Sequence, residues 1–194
     1  VVALESLPGL ETAAKGLSAA NDAMKAFEAE WAGLGSLLAE AKAFETNAKL
    51  AGLSAWSGAK DRVEGHRDAK RWEQARAEAL LLKTACSDLK SEGEAHKALT
   101  DDEAHADGYR EVRDYDKPLT EDTPGALANW QSAEAAYLQF RSDKDWINAR
   151  KQLALADGMG KRLMETTKAR AEYKLLATAE AEQKISAALT AANA

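Results

Sequence analysis

Apolar residues recur every seven positions near the start of the chain: Leu10, Leu17, Met24, Trp31 and Leu38, with Ala13, Ala20, Phe27, Leu34 and Ala41 three places after each. These spacings put both sets on one helix face. A seam of about five heptads predicts one long helix over 9–52. Pro8 suits its first turn, and Ser6 is placed to cap it. Gly33 and Gly35 weaken its middle by about 1 kcal/mol each against alanine, which predicts a bend there. Gly52 reads as its end and Ser54 as the cap of the next helix.

Beyond that point the apolar phase changes. Trp56, Ala59, Val63 and His66 follow one phase; Trp72, Ala75, Ala79, Leu82, Cys86 and Leu89 follow another. Continuing the first phase would bury Lys70 and Glu73, which charged side chains resist. The chain is therefore expected to turn, or to rotate its buried face, near Arg67–Asp68, with Asp68 capping the new helix. The construction returns as Trp130, Ala133, Tyr137 and Phe140, then Trp146, Ala149, Leu153, Ala156, Gly160 and Leu163, with Ser142 or Asp143 as cap. Aligning 56–89 on 130–163, an offset of 74, needs no gap and gives nine identities in thirty-four positions. They include Trp56 with Trp130, Arg67 with Arg141, Lys70 with Lys144, Trp72 with Trp146, Arg76 with Arg150, and Leu81 with Leu155. Tryptophan is rare, so its two coincidences weigh most, and they indicate an internal duplication.

A charged stretch from Ser91 to Gly125 separates the copies. Thr100 with Glu103 reads as a capping box opening a short helix to about Asp114. Lys117-Pro118 and Thr123-Pro124-Gly125 punctuate a loop, and Pro124 fits the first turn of the helix that follows. From Asp143 the pattern is helical nearly to the end. Gly158 and Gly160 mark a kink or a close helix approach, and Ala177–Ala194 is an alanine-rich end expected to fray. The predicted fold is all-α: long antiparallel helices and helical hairpins, as a bundle or short α-solenoid. The expected organisation is 1–97 (heptad helix and first Trp hairpin), 98–125 (acidic short helix and loop) and 126–194 (second Trp hairpin and long terminal helix), as separate segments or one continuous domain.

The Trp130–Leu163 unit resembles a helical-hairpin repeat of the tetratricopeptide type. Such repeats carry a large residue early in the first helix and an aromatic seven residues on, as Trp130 and Tyr137 do. Their second helix carries an aromatic followed three residues later by alanine, as Trp146 and Ala149 do. The gap between the anchor aromatics is a turn shorter than in that family. The resemblance implies a hairpin architecture and a partner-binding role, with Trp56, Trp72, Trp130 and Trp146 as structural anchors. The long heptad helix and its tryptophan also resemble a spectrin-like three-helix bundle.

Composition narrows the function classes. The net charge is −6, and neutralising phosphates needs excess Lys and Arg, so no nucleic-acid partner is expected. The charge is uneven: twelve acids against five bases over 88–123, and eight bases against four acids over 141–170. Such stretches either complement each other inside the fold or form a docking surface. Cys86 is the single cysteine, so an intrachain disulfide is excluded, and its apolar phase predicts a buried thiol. No apolar run is long enough to span a membrane, so no membrane partner is expected. A soluble, cytoplasmic setting is favoured. The chain opens at Val1 rather than Met, which fits a piece or processed product of a larger protein.

Candidate chemistry centres on the histidines. Asp101 and His105 share a helix face at i and i+4, and imidazole with carboxylate suits zinc or manganese. Acids at the positive end of a helix dipole account for Asp101, Asp102 and Glu103 without a metal. His66, beside the predicted turn, reads as boundary packing. Asp157-Gly-Met-Gly-Lys161 lacks P-loop spacing and a preceding strand. No cofactor motif is present, and no catalytic residue is assigned. The tryptophans read as core, with an aromatic groove for a peptide as the alternative. The expectation is a protein–protein interaction or scaffold module of helical repeats, part of a larger protein. A self-assembling coiled-coil element and a helical enzyme or metal-binding protein are the alternatives.

Overall fold

The computed structural model describes residues 7–192, and all regular structure in that span is helical. In chain order the helices are α1 (Leu7–Gly33), α2 (Gly35–Lys42), α3 (Leu53–Asp68), α4 (Trp72–His105), α5 (Asp107–Asp114), α6 (Ala126–Ser142) and α7 (Trp146–Ala192). This is an all-α fold of long helices and hairpins, of the bundle or short-solenoid kind that the periodicity predicts. Two compact units divide the chain between His96 and Lys97, a point inside α4.

The first unit packs three helical rods: α1 with α2, then α3, then the first part of α4. Phe27, Leu34 and Ala41 supply one line of its core, Trp56, Ala59 and Val63 a second, and Ala75, Ala79, Leu82, Cys86 and Leu89 a third. Only the second half of the heptad seam turns inward, as the Phe27–Leu34–Ala41 line; Leu10, Ala13, Leu17 and Ala20 of its first half are exposed. Trp31 and Trp72 lie at the core's edge, each with its ring 5.9 Å from Phe27.

The predicted single helix over 9–52 is not what forms. It is interrupted at Leu34, whose N–H donates to the Trp31 carbonyl three residues back, at 3.1 Å. It then ends at Lys42. From Ala43 to Leu50 the backbone bonds are short-range turns. Asn47 bends the chain by accepting the Lys49 N–H on its side chain at 3.2 Å. Phe44 occupies the space that a side chain on Gly93 would fill, and Leu50 is buried. A continuing helix could not place both. Ser6 lies outside the described residues. Ser54 does not cap α3; the Glu92 carboxylate accepts the N–H groups of Ala51 and Gly52 at 2.6 and 2.8 Å.

The charged stretch holds a second correction. Thr100 opens no helix. Residues 91–105 continue α4 without a break, since no glycine or proline follows Gly93 before Gly108. The break comes at Ala106, and α5 begins at Asp107. In the second unit, Leu99, Ala106, Tyr109 and Val112 are buried with Trp130, Ala133 and Tyr137 of α6, and with Trp146, Ala149, Leu153, Ala156, Leu163 and Met164 of α7. α6 starts two residues later than Pro124 would place it, at Ala126, after Gly125 in the left-handed region (φ 85°). Glu121 accepts the Gly125 and Leu127 N–H groups there.

The two hairpin turns coincide bond for bond. Lys70 N–H donates to the Arg67 carbonyl and Arg71 N–H to the His66 carbonyl, both at 2.9 Å. Seventy-four positions on, Lys144 N–H donates to Arg141 at 3.3 Å and Asp145 N–H to Phe140 at 2.9 Å. This pairing is the Schellman arrangement at a helix C-terminus. Its left-handed residue is usually glycine, but here Lys70 (φ 57°) and Lys144 (φ 61°) adopt it. Asp68, Ser142 and Asp143 therefore finish the preceding helices instead of capping the next ones. The cap of α7 is Asp145, whose carboxylate accepts the Asn148 N–H at 3.1 Å.

A second correspondence, of 72 residues, links the first rods of the two units. α1 ends at Gly33 and α4 at His105; α2 covers Gly35–Lys42 and α5 Asp107–Asp114. Phe27 falls on Leu99 and Leu34 on Ala106, all four buried. The ion pairs agree: Arg76 meets Glu30 at 4.0 Å, and Arg150 meets Asp102 at 2.6 Å.

A left-handed lysine carries a steric penalty that glycine lacks. Lys70→Gly and Lys144→Gly are each expected to stabilise the fold by about 0.5–1 kcal/mol, read from urea unfolding; destabilisation by either would contradict the turn geometry. Trp146→Ala should cost about 3–5 kcal/mol and the half-buried Trp72→Ala less, in the same assay.

Candidate functional site

Asp101 and His105 stand one turn apart near the end of α4, but their side chains do not form a ligand pair. The His105 Nδ1–H donates to the Asp101 backbone carbonyl at 2.7 Å, and both residues are exposed. Among the described residues no three His, Cys, Asp or Glu side chains come together as a metal would require. His96 faces Asn47, with Nδ1 3.4 Å from the amide nitrogen. The His66 Nδ1 is enclosed without a hydrogen-bond partner.

Trp56, Trp130 and Trp146 are buried, and Trp72 is half-buried. The Trp56 and Trp130 indole N–H groups are buried without an acceptor, so these rings are held by packing. Trp56 lies close to Cys86. Burial pushes that thiol above its ordinary pKa, and the nearby indole only partly offsets the shift. A protonated, fully enclosed thiol is inert.

The densest polar arrangement joins the end of α4 to α5, α6 and α7. Tyr137 donates its hydroxyl to the Glu103 carboxylate, which also accepts the Arg141 Nε–H at 2.8 Å. Tyr109 reaches Glu134 at 3.3 Å, and its ring packs on Tyr137 and Trp130. A cleft of about 200 Å³ opens here, lined by Glu103, Tyr109, Arg110, Arg113, Tyr137, Leu138, Arg141 and Leu153. Burial first, and then the Glu103 carboxylate, push the Tyr137 hydroxyl well above the usual tyrosine range. Burial and Glu134 raise Tyr109 in the same way. Neither hydroxyl is poised to give up a proton near neutrality, so the cluster acts as a fastening.

The neighbouring fastening is the Asp157 carboxylate of α7. It accepts the N–H groups of Gly108 and Tyr109 at 2.8 and 3.3 Å and pairs with Lys161 at 2.7 Å. It thus supplies the N-terminal cap of α5 from another helix. Burial alone would raise its pKa. The Lys161 ammonium and the two N–H groups outweigh that and hold it below the ordinary carboxylate value. Gly108 and Gly160 make the contact; a Cβ on Gly108 would sit 2.5 Å from the Asp157 carbonyl oxygen. Gly160 is therefore a close approach, and α7 runs through Gly158 and Gly160 unbroken. Glu103–Arg141, Asp102–Arg150 and Glu111–Lys168 join the acidic stretch to the basic one inside this unit.

Several large apolar side chains are exposed as well. Leu81 is 56% exposed and Leu155 51%, and they are one of the coincident pairs at the 74-residue offset. The other coincident residues are buried or half-buried, form the turn, or make ion pairs. Periodicity reads core positions and passes over these two, since only a solved surface separates an outward leucine from an inward one. Among the described residues no helix is long and apolar enough to cross a membrane. Comparison with family models, curated proteins and solved structures finds no match for the chain.

Asp157→Ala should cost about 1–2 kcal/mol through the lost α5 cap, measured by urea unfolding at neutral pH. Because the folded-state pKa is depressed, the contribution is complete above the ordinary carboxylate value near 3.8 and disappears as pH falls through the lower folded value. The gap between wild type and Asp157→Ala should therefore narrow below about pH 4; a gap that widens on acidification would overturn the assignment.

Proposed function

We propose that the chain is a protein-binding scaffold module built from two copies of one three-rod helical unit. Matching turns, matching ion pairs between first and third rods, and matching helix breaks all support the reading as copies. Helical arrays of this kind present extended surfaces and work by holding partners. The observation that carries a binding role is the pair Leu81 and Leu155. Both copies keep leucine at one outward position of the third rod, where folding makes no use of it. Burying such a side chain in an interface is worth about 1.5–3 kcal/mol, enough to matter in affinity.

The partner is read as a protein with an apolar contact at that position. The charged groups one turn from the two leucines differ: Glu78 precedes Leu81 by three residues, and Lys151 precedes Leu155 by four. The two copies are therefore suited to contact different parts of a partner.

A photo-crosslinking amino acid placed at 81 or 155, with controls at the exposed Lys83 and Ala135, tests this in lysate of the native organism. Discrete adducts at 81 and 155 are expected, together with about a tenfold loss of affinity for the adduct partner in Leu155→Lys. Labelling no different from the two controls would contradict the proposal.

A further inference from the structure

The cleft at Glu103 and Tyr137 lies where the first unit is apolar. With the units read as copies, on which this inference rests, Glu103, Tyr109, Arg110 and Arg113 fall on Trp31, Leu37, Leu38 and Ala41 at the 72-residue offset. Tyr137 falls on Val63 at the 74-residue offset. In the first unit all five of these positions belong to the apolar core or pack against it. The rods therefore close there without a polar group. Fastening alone does not require the tyrosines, Glu103 and the arginines that replace them in the second unit.

Three guanidiniums line the cleft, those of Arg110, Arg113 and Arg141, against one carboxylate, Glu103. All three side chains are about half-exposed, and each is already oriented. Arg141 and Arg113 are held through Nε, by Glu103 at 2.8 Å and by Asp114 at 3.2 Å. Arg110 is held through one Nη, by the Ala104 carbonyl at 3.0 Å and by Asp107. The Arg113 guanidinium also lies 5.7 Å from the centre of the Tyr109 ring. A guanidinium carries five N–H donors, so all three keep donors for a ligand, and their prior ordering lowers the cost of binding one. Asp107 and Asp114 stand outside the lining. Their side chains are 72% and 67% exposed, so water and salt screen their charge.

We propose that this cleft binds a phosphate monoester on an aromatic stem, as presented by a phosphorylated tyrosine side chain of a protein partner. Such a group brings nearly two negative charges and three acceptor oxygens. That matches three guanidiniums set against one carboxylate, and arginine forks suit phosphate geometry. A carboxylate ligand would bring half the charge. The cleft, at about 200 Å³, is smaller than the sites that enclose drug-sized ligands and has room for one side chain. Leu138, 48% exposed, gives it an apolar wall for the ring that carries the phosphate. Clustered arginines are a recurring means of reading phosphorylated motifs.

NMR of the arginine Nε–H signals in the whole chain tests this. The probes are the peptide Ala-Ala-phosphotyrosine-Ala-Ala, its unphosphorylated form, and inorganic phosphate. The phosphopeptide should shift the Arg110, Arg113 and Arg141 signals saturably, with half-saturation below about 1 mM. The unphosphorylated peptide should leave them in place, and inorganic phosphate should bind about tenfold more weakly. Arg113→Gln and Arg110→Gln should each weaken the phosphopeptide about tenfold, with helix content unchanged. Arg162→Gln removes an exposed guanidinium of the same unit that lines a different cleft, and it should leave the affinity as it is. No saturable shift with the phosphopeptide, equal binding of its unphosphorylated form, inorganic phosphate binding as tightly, or an equal loss in Arg162→Gln would each overturn the proposal. These probes do not involve Leu81 or Leu155, so failure here and failure of the crosslinking are read separately.

Discussion

Small residues along the third rods set how closely the helices of each unit approach. Ala75, Ala79, Cys86 and Gly93 line the buried face of α4, and Ala149, Ala156 and Gly160 that of α7. A helix that presents alanine or glycine lets its neighbour's axis come near, and larger side chains from the other rods then fill the interstices. Trp56 and Trp130 are such fillers, with their N–H groups left without acceptors. Phe44 over Gly93 and Gly108 against Gly160 are the closest cases. They decide where α2 gives way to turns and where α5 lies.

Polar groups follow from that packing. Glu92 caps α3 and Asp157 caps α5, each from a helix far away in sequence. Carboxylates placed by tertiary structure stand in for the local serine or aspartate caps that sequence signals anticipate. The long-range ion pairs at the surface, such as Glu30–Arg76 and Asp102–Arg150, are solvent-exposed. Pairs of this kind fix alignment more than they add stability. They matter here because the same two rods are joined in the same way in each unit.

Much of the fold was legible in the sequence. The heptad spacing put Phe27, Leu34 and Ala41 on one inward line, and the phase change at Lys70 placed both hairpin turns within a few residues. The errors share one cause. Thr100 and Glu103 have the spacing of a capping box, but no helix breaker lies between Gly93 and Gly108, and tertiary contacts at Leu99 hold α4 together. The end of α2 depends on Phe44 finding Gly93, a contact without a local signature. The 72-residue correspondence was unreadable because it pairs phenylalanine with leucine and leucine with alanine; the matching breaks appear only in three dimensions. The candidate surface was half visible: Leu81 and Leu155 stood out as an identity, but not as outward-facing residues.

Tertiary cover, and not helix propensity, is responsible for order along each long helix. Alanine-rich helices of this length are marginal where nothing packs on them. Native-state hydrogen exchange on dilute, monomeric protein tests this most directly. Strong protection should run through α4 from Ala75 to Ala104 without a gap. In α7 it should fall sharply after Thr167, and in α1 it should be weak before Met24. Even protection along the whole of α7, or an unprotected stretch inside α4, would contradict the claim that each helix is secured only where a core covers it.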